Sequence, residues 1–297
     1  MPEPREFIPP PKPGEPDPEL DRRRRTAPFR VLPDFLIIGA MKAGTTSLNA
    51  YLYHHDLVHR ARRKEVHYFD NNTHRGLLWY RAHFPTRWDI LTADARAWLR
   101  RAARTTTGEA SPYYLFHPHA AARAARVLPK ARLIAMLRDP ADRAYSHYQH
   151  NKRQGLDTLS FEDALDAEQD RTADEWRRML DDPEYNSLPV QHFTYATRGQ
   201  YSWQLERWLE HYPREQLLVI RSEPFFADPK PDYDRTLAFL GLPQPTTRIP
   251  FVVHNDGGDY QPMPPAARER LAERFKSPTA GSRCCWASAW WSSPDRP

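Results

Sequence analysis

Cysteine is nearly missing from this chain of 297 residues. The two present, Cys284 and Cys285, are adjacent and cannot build a disulfide framework, so a reducing, cytoplasmic setting is expected. No apolar run reaches membrane-spanning length, and the N-terminus lacks the basic-then-apolar layout of a secretory signal. Zinc-ligand spacings, RNA-binding motifs and internal repeats are missing too, and no metal site is expected. The formal net charge of +5 is modest; it suits an anionic ligand without requiring nucleic acid as a partner. Nothing in the pattern sets an oligomeric state.

Proline, by contrast, is plentiful and unevenly placed. Residues 1–33 hold ten of the thirty, together with the run Arg22-Arg23-Arg24-Arg25. Such a segment buries too little apolar surface to offset its ordering entropy, and it reads as a mobile tail with a solvated arginine run. The folded domain is then expected over residues 34–276. Phe35-Leu36-Ile37-Ile38 is a short continuous apolar run, as in a strand buried on both faces of a parallel sheet. Thr105 to Glu109, Arg132 to Leu137 and Leu217 to Ile220 are further strand candidates. Helical segments are expected from Ser47 to Tyr53, near Asp232 to Leu240 and from Pro264 to Phe275. Strands alternating with helices imply right-handed βαβ units and an α/β fold, three layers deep, around a mostly parallel sheet. Residues 151–200 are polar and weakly periodic, with one helix from Phe161 to about Gln169, and read as an insertion near the substrate side.

The motif richest in chemistry is Gly39-Ala40-Met41-Lys42-Ala43-Gly44-Thr45-Thr46-Ser47. A strand ends in a glycine-bearing loop that opens a helix, so backbone N–H groups and the positive helix end converge on one anion. A nucleotide triphosphate loop of the Walker type reads G-x-x-x-x-G-K-[ST]. Gly39 and Gly44 keep that spacing, but Thr45 stands at the lysine position and the lysine comes earlier, at Lys42. The triphosphate reading therefore fails at its central residue.

A second block, Arg138-Asp139-Pro140-Ala141-Asp142-Arg143-Ala144-Tyr145-Ser146, follows a strand directly. Asp139 before Pro140 is a helix start. Arg138 then lies at the strand's carboxyl end, where ligands bind in open α/β sheets. The third element is Lys64-Glu65-Val66-His67-Tyr68-Phe69-Asp70. On an extended segment Glu65 and His67 would share a face, and transfer to an alcohol needs a base against its hydroxyl.

Taken together, the three blocks resemble the sulfotransferases that use 3′-phosphoadenylyl sulfate (PAPS), particularly the branch of the heparan sulfate enzymes and their bacterial relatives. The resemblance spans Asp34 to about Phe275. It implies a P-loop-like sulfotransferase fold, PAPS as co-substrate without a metal, and a small-molecule or glycan acceptor whose hydroxyl, less readily amine, is sulfated. It implies that Lys42, with Ala43, Gly44, Thr45, Thr46 and Ser47, holds the 5′-phosphosulfate, and that Arg138 and Ser146 hold the 3′-phosphate. Glu65 would be the general base and His67 would position the acceptor or share the proton; the classical cytosolic branch uses a histidine, so the two roles can be exchanged. Gly108-Glu109-Ala110-Ser111 falls where the heparan enzymes line the acceptor cleft with a Glu-Lys pair, and Ala110 replaces that lysine. Arg60, Arg62, Arg63 and Lys64 either recognise an acidic acceptor or are simply solvated. The His254–Tyr260 segment resembles the loop that closes over the 3′-phosphate, without its basic residues. Two other readings stay open: a P-loop small-molecule kinase, and a nucleotide-binding protein without catalysis.

After Lys276 the resemblance stops. Residues 277–297 carry both cysteines and three tryptophans (Trp286, Trp290 and Trp291) with no apolar periodicity. A shifted reading frame would restore a leucine-rich stretch of the kind that continues the bacterial relatives, so a frameshift is the hypothesis here. Resequencing the 3′ end of the gene tests it, and a clean read in the present frame with the same tail in relatives would defeat it.

Overall fold

A computed structural model describes residues 17–99, 104–252, 254 and 261–276. At its centre lie five strands, β1 (Phe35–Gly39), β2 (Val58–Arg60), β3 (Thr106–Ala110), β4 (Arg132–Leu137) and β5 (Leu217–Arg221). They are all parallel, in the order β2-β3-β1-β4-β5. Every residue of β1 and β3 is buried; β1 accordingly reads as an unbroken apolar run, whereas β3 (Thr-Thr-Gly-Glu-Ala) buries polar side chains. Pairing of β1 to β3 starts at Phe35 opposite Gly108. A Cβ on Gly108 would sit 2.4 Å from the Phe35 ring, so only glycine lets the two strands come this close with that ring between them.

Helices flank the sheet in the expected three-layer arrangement. The Thr45–Tyr53 helix packs on β1 and on the Pro229–Leu240 helix, while Ala120–Val127 pairs with Tyr201–Leu209. A second apolar cluster joins the Pro140–Arg153 helix to Phe161 and to Leu271 of the closing Pro265–Lys276 helix. Among the described residues no helix is long and apolar enough to cross a membrane.

Three expectations change. The first concerns the tail predicted over residues 1–33. From Asp17 onward the chain is structured: Asp17 caps a helix from Pro18 to Arg25 by accepting the Leu20 N–H at 3.0 Å. Leu20 and Ala27 are buried. Arg23, together with Arg30, donates to the carbonyls of Ala82 and Phe84 as a structural clasp, while Arg22, Arg24 and Arg25 of the run are exposed as expected. The signals were local and outweighed by composition: proline at the first helical position, acids in the first turn and arginines in the last all suit the helix dipole. Second, residues 151–200 hold three further α-helices, Phe161–Asp166, Glu168–Asp181 and Leu188–Phe193, and a 3-10 turn at Thr197–Gly199, not one helix. Third, β2 has only three residues and escaped the periodicity. The tail from 277 and the segment 255–260 lie outside the described residues.

Candidate active site

In a parallel sheet all carboxyl ends share one edge, and that edge carries the site. β1 delivers Gly39 and the 40–44 loop; β2 leads into residues 61–67; β3 delivers Glu109 to Ser111; β4 delivers Arg138. These segments surround a cavity of about 510 Å³ lined by Lys42, Gly44, Thr45, Thr46, Ser47, Lys64, Glu65, His67, Tyr113, Arg138, Ser146 and His150, among others.

The loop after β1 folds tightly. Gly44 precedes the Thr45–Tyr53 helix in a left-handed conformation (φ 91°), and a Cβ there would meet the Phe226 ring at 2.8 Å. Both facts require glycine. This turn aims the first-turn N–H groups, which have no acceptor within the helix, toward the cavity. Ser47 is 3% exposed, and its hydroxyl accepts the His254 N–H at 3.1 Å. Ala43 does not line the cavity as expected. Its methyl is buried, and its carbonyl accepts the Ser222 hydroxyl at 2.8 Å, so it fixes the loop from behind.

Lys42 also has left-handed backbone (φ 69°) and reaches into the cavity. Burial first, then the charges of Arg153, Arg138 and Lys64, lowers its pKa to about 8, with Glu65 acting in the opposite sense. Lys42 thus lies electrically between Arg138 and the Lys64–Glu65 pair. Arg138 donates to the Lys42 carbonyl at 3.3 Å, and its guanidinium lies 5.7 Å from the Phe226 ring centre. Asp139 caps the next helix by accepting the Asp142 N–H at 2.9 Å, which sets Ser146 in the cavity wall.

Glu65 and His67 are not on an extended strand. Both have left-handed backbone (φ 59° and 54°), and this curl, rather than alternation, brings them together. His67 Nε2 is 3.4 Å from Glu65 Oε2, and Nδ1 is 2.7 Å from Asp70 Oδ2. Burial alone would lower the His67 pKa, but Asp70, and then Glu65, outweigh it and raise it to about 10. For Glu65, burial pushes the carboxyl up, while the His67 hydrogen bond and the Lys64 charge more than compensate and hold it at about 2. Lys64 pairs directly with Glu65 Oε1. The resting state is therefore an ionised Glu65 between two cations, with a buried Asp70 behind the imidazolium. Asp70 was in the quoted motif without a role; a carboxylate three residues after a histidine was the available signal.

Glu109 is not in the cleft. It is fully buried and accepts from Tyr80, Ser111 and Tyr114. The arginines before Glu65 are committed as well. Arg62 forms a two-pronged pair with Asp17, both contacts at 2.6 Å. Arg60 donates to the Tyr53 carbonyl, and Arg63 lies over the Trp79 indole. Arg198, which lines the cavity, donates to the Val190 and Gln191 carbonyls. Among the described residues no group of three His, Cys, Asp or Glu side chains is placed to hold a metal ion.

Comparison with known proteins gives this arrangement its context. The profile of the sulfotransferase domain family matches residues 32–254. Bifunctional heparan sulfate N-deacetylase/N-sulfotransferase 4 of Mus musculus is 34% identical over 220 residues, covering 71% of this chain and 22% of the relative. Heparan sulfate glucosamine 3-O-sulfotransferase 3B1 of Mus musculus is 31% identical over 227 residues, covering 76% of this chain and 50% of the relative. The chain thus spans half or less of these relatives. A crystal structure of a sulfotransferase from Alicyclobacillus acidocaldarius is 32% identical, with a TM-score of 0.58, covering 83% of this chain and 92% of the other. The match covers β1 to β5 and every segment that builds the cavity edge, and the chain is a member of the sulfotransferase domain family.

Proposed function

We propose that this enzyme takes the sulfuryl group of PAPS and passes it to a hydroxyl of an uncharged small-molecule or glycan acceptor. The observation that carries the reading is the single cavity onto which Lys42, the N-terminus of the Thr45–Tyr53 helix, Arg138, Ser146 and Glu65 all open. The donor has two separate anionic groups. The helix end with Lys42 suits the phosphosulfate, and Arg138 with Ser146 suits the 3′-phosphate.

Glu65 takes the acceptor proton while the new O–S bond forms and the S–O bond to the 5′-phosphate breaks. Lys42 and the helix N–H groups stabilise the charge that develops on the departing bridging oxygen. Between Glu65 and His67, the geometry favours Glu65 as base. An imidazolium held by two carboxylates has no lone pair to accept a proton, whereas the Glu65 carboxylate is ionised throughout the physiological range. Its low pKa makes it a weak base at rest, so proton transfer accompanies attack rather than preceding it.

The acceptor reading rests on the committed arginines. With Arg60, Arg62, Arg63 and Arg198 engaged elsewhere and alanine at 110, the walls beyond the donor contacts are dominated by neutral hydrogen-bonding groups such as Gln154, Gln191 and His192.

The test is turnover of the purified chain with PAPS and, separately, with ATP, against neutral oligosaccharides, phenols and a heparan fragment, followed by mass spectrometry. Sulfated neutral products with PAPS alone are expected. Phosphorylated products, or binding of adenosine 3′,5′-bisphosphate without transfer to any acceptor, would overturn the reading. Lys42→Ala should cost about 2–4 kcal/mol of transition-state stabilisation, and undiminished turnover would contradict the role of Lys42.

A further inference from the structure

The loop that carries Glu65 is irregular, yet its N–H groups from Glu65 to Tyr68 are all engaged. Four consecutive N–H groups are each accepted by the end of β3 and the turn after it. Glu65 N–H goes to the Ala110 carbonyl at 3.0 Å and Val66 N–H to Glu109 Oε2 at 3.3 Å. His67 N–H goes to the Ser111 hydroxyl at 3.1 Å and Tyr68 N–H to the Tyr114 hydroxyl at 2.8 Å. Those two hydroxyls pass their own protons on to Glu109, at 2.7 and 2.9 Å, and Tyr80 adds a third hydroxyl at 2.8 Å.

We propose that Glu109 is the positioning residue of the base loop: its buried carboxylate terminates three of the four hydrogen bonds, those of Val66, His67 and Tyr68, that hold the loop in its left-handed curl, and so aims the Glu65 carboxylate into the cavity. Left-handed backbone is unfavourable for residues with a Cβ and persists where the surroundings over-determine it. Glu109 supplies that determination. All four of its partners donate to it, which favours the carboxylate form against the burial that pushes its pKa up. The same turn also grips the donor side. Ser111 N–H donates to the Ile37 carbonyl at 3.1 Å and Leu115 N–H to that of Ile38 at 2.8 Å, on the strand that leads into Lys42. One rigid segment therefore fixes the base and the lysine relative to each other.

The proposal rests on Glu65 being the base, and its experiment keeps the two apart. Amide hydrogen exchange is followed in the full chain with saturating adenosine 3′,5′-bisphosphate. Glu109→Gln puts an amide N–H₂ against donors; it should speed exchange of the Val66–Tyr68 amides about tenfold, the weight of one net hydrogen bond, and leave the Thr45–Tyr53 helix protected. Ser111→Ala, a smaller deletion that guards against misfolding, should loosen the His67 amide alone. Bisphosphate affinity should stay within about twofold in both, since neither residue touches the anion sites. With the best neutral acceptor from the panel, kcat should fall about 100-fold in Glu109→Gln with the donor KM unchanged, as expected of a misplaced catalytic group. Unchanged exchange in the 66–68 amides overturns the proposal. So does a loss of protection spread equally through β1 and β3, which would make Glu109 an ordinary core residue. A Glu65→Gln enzyme with wild-type turnover would instead defeat Glu65 as base, leaving the exchange result to stand for the loop.

Discussion

At the scale of single residues, the chemistry is set by which charges share an enclosed space. His67 lies between Asp70 and Glu65, and Glu65 lies between His67 and Lys64. Each partner stabilises the charged form of the next, against the burial that disfavours them all. The sign of the stability effect follows. The contribution of His67 is complete below its ordinary pKa of 6.5 and disappears as pH rises through about 10. That of Glu65 is complete above its ordinary 4.5 and disappears as pH falls through about 2. Both describe one shared contact. Thermal unfolding should therefore peak between pH ~4.5 and ~6.5 and fall on either side. His67→Asn should flatten the alkaline decline; an alkaline limb that survives the substitution would contradict this assignment. Lys42 makes a separate prediction. Its charge is lost above about pH 8, so calorimetric affinity for adenosine 3′,5′-bisphosphate should weaken there. In Lys42→Met that dependence should vanish.

Secondary-structure elements divide into those legible in the sequence and those that needed tertiary contacts. The loop from Gly39 to Ser47 was legible because its conformation is imposed locally: Gly44 must be left-handed, and the helix begins immediately after it. Gly44→Ala should accordingly cost about 1–2 kcal/mol from the backbone alone, more with the Phe226 contact, and abolish bisphosphate binding. Retained affinity would show that the loop tolerates another shape. Residues 65–67 were misread as extended because nothing within them dictates a left-handed turn. The dictation comes from Glu109, Ser111 and Tyr114, more than forty positions away in sequence. The Pro18–Arg25 helix is the opposite case, with local signals present but overruled by the proline content around it. Its cap doubles as the partner of Arg62. Asp17→Ala thus removes a helix cap and leaves a nearly buried guanidinium with only its longer contact to Glu19 at 3.4 Å, and should destabilise the chain by about 1–3 kcal/mol in denaturant unfolding. A change within error would return the segment to the status of a tail.

For the molecule as a whole, the all-parallel sheet explains why the fold and the edge that carries the proposed donor site could be read together while the walls proposed for the acceptor could not. Buried strands announce themselves as apolar runs, and their carboxyl ends must gather on one edge. Any motif directly after such a run is placed by that fact alone, as Gly39 and Arg138 were. The remaining cavity walls, where the acceptor is proposed to sit, come from the 188–193 helix and neighbouring segments, whose positions depend on long-range packing. If the bisphosphate binds native protein only, it should raise the unfolding free energy by about 2.7 kcal/mol at a hundredfold excess over its Kd. A ligand-independent melting temperature would argue that the cavity does not form in solution.

The arginines locked to Asp17, Tyr53 and Trp79 have one more consequence, for how the enzyme meets its two substrates in solution. Free cations on a rim draw charged partners from a distance and lose that reach as salt shortens the Debye length to about 8 Å at physiological strength. Here the cations that line the cavity are Lys42, Lys64, Arg138 and Arg198. Ionic strength should therefore separate the two encounters, slowing capture of the donor while arrival of a neutral acceptor proceeds at the same rate in dilute buffer and in brine.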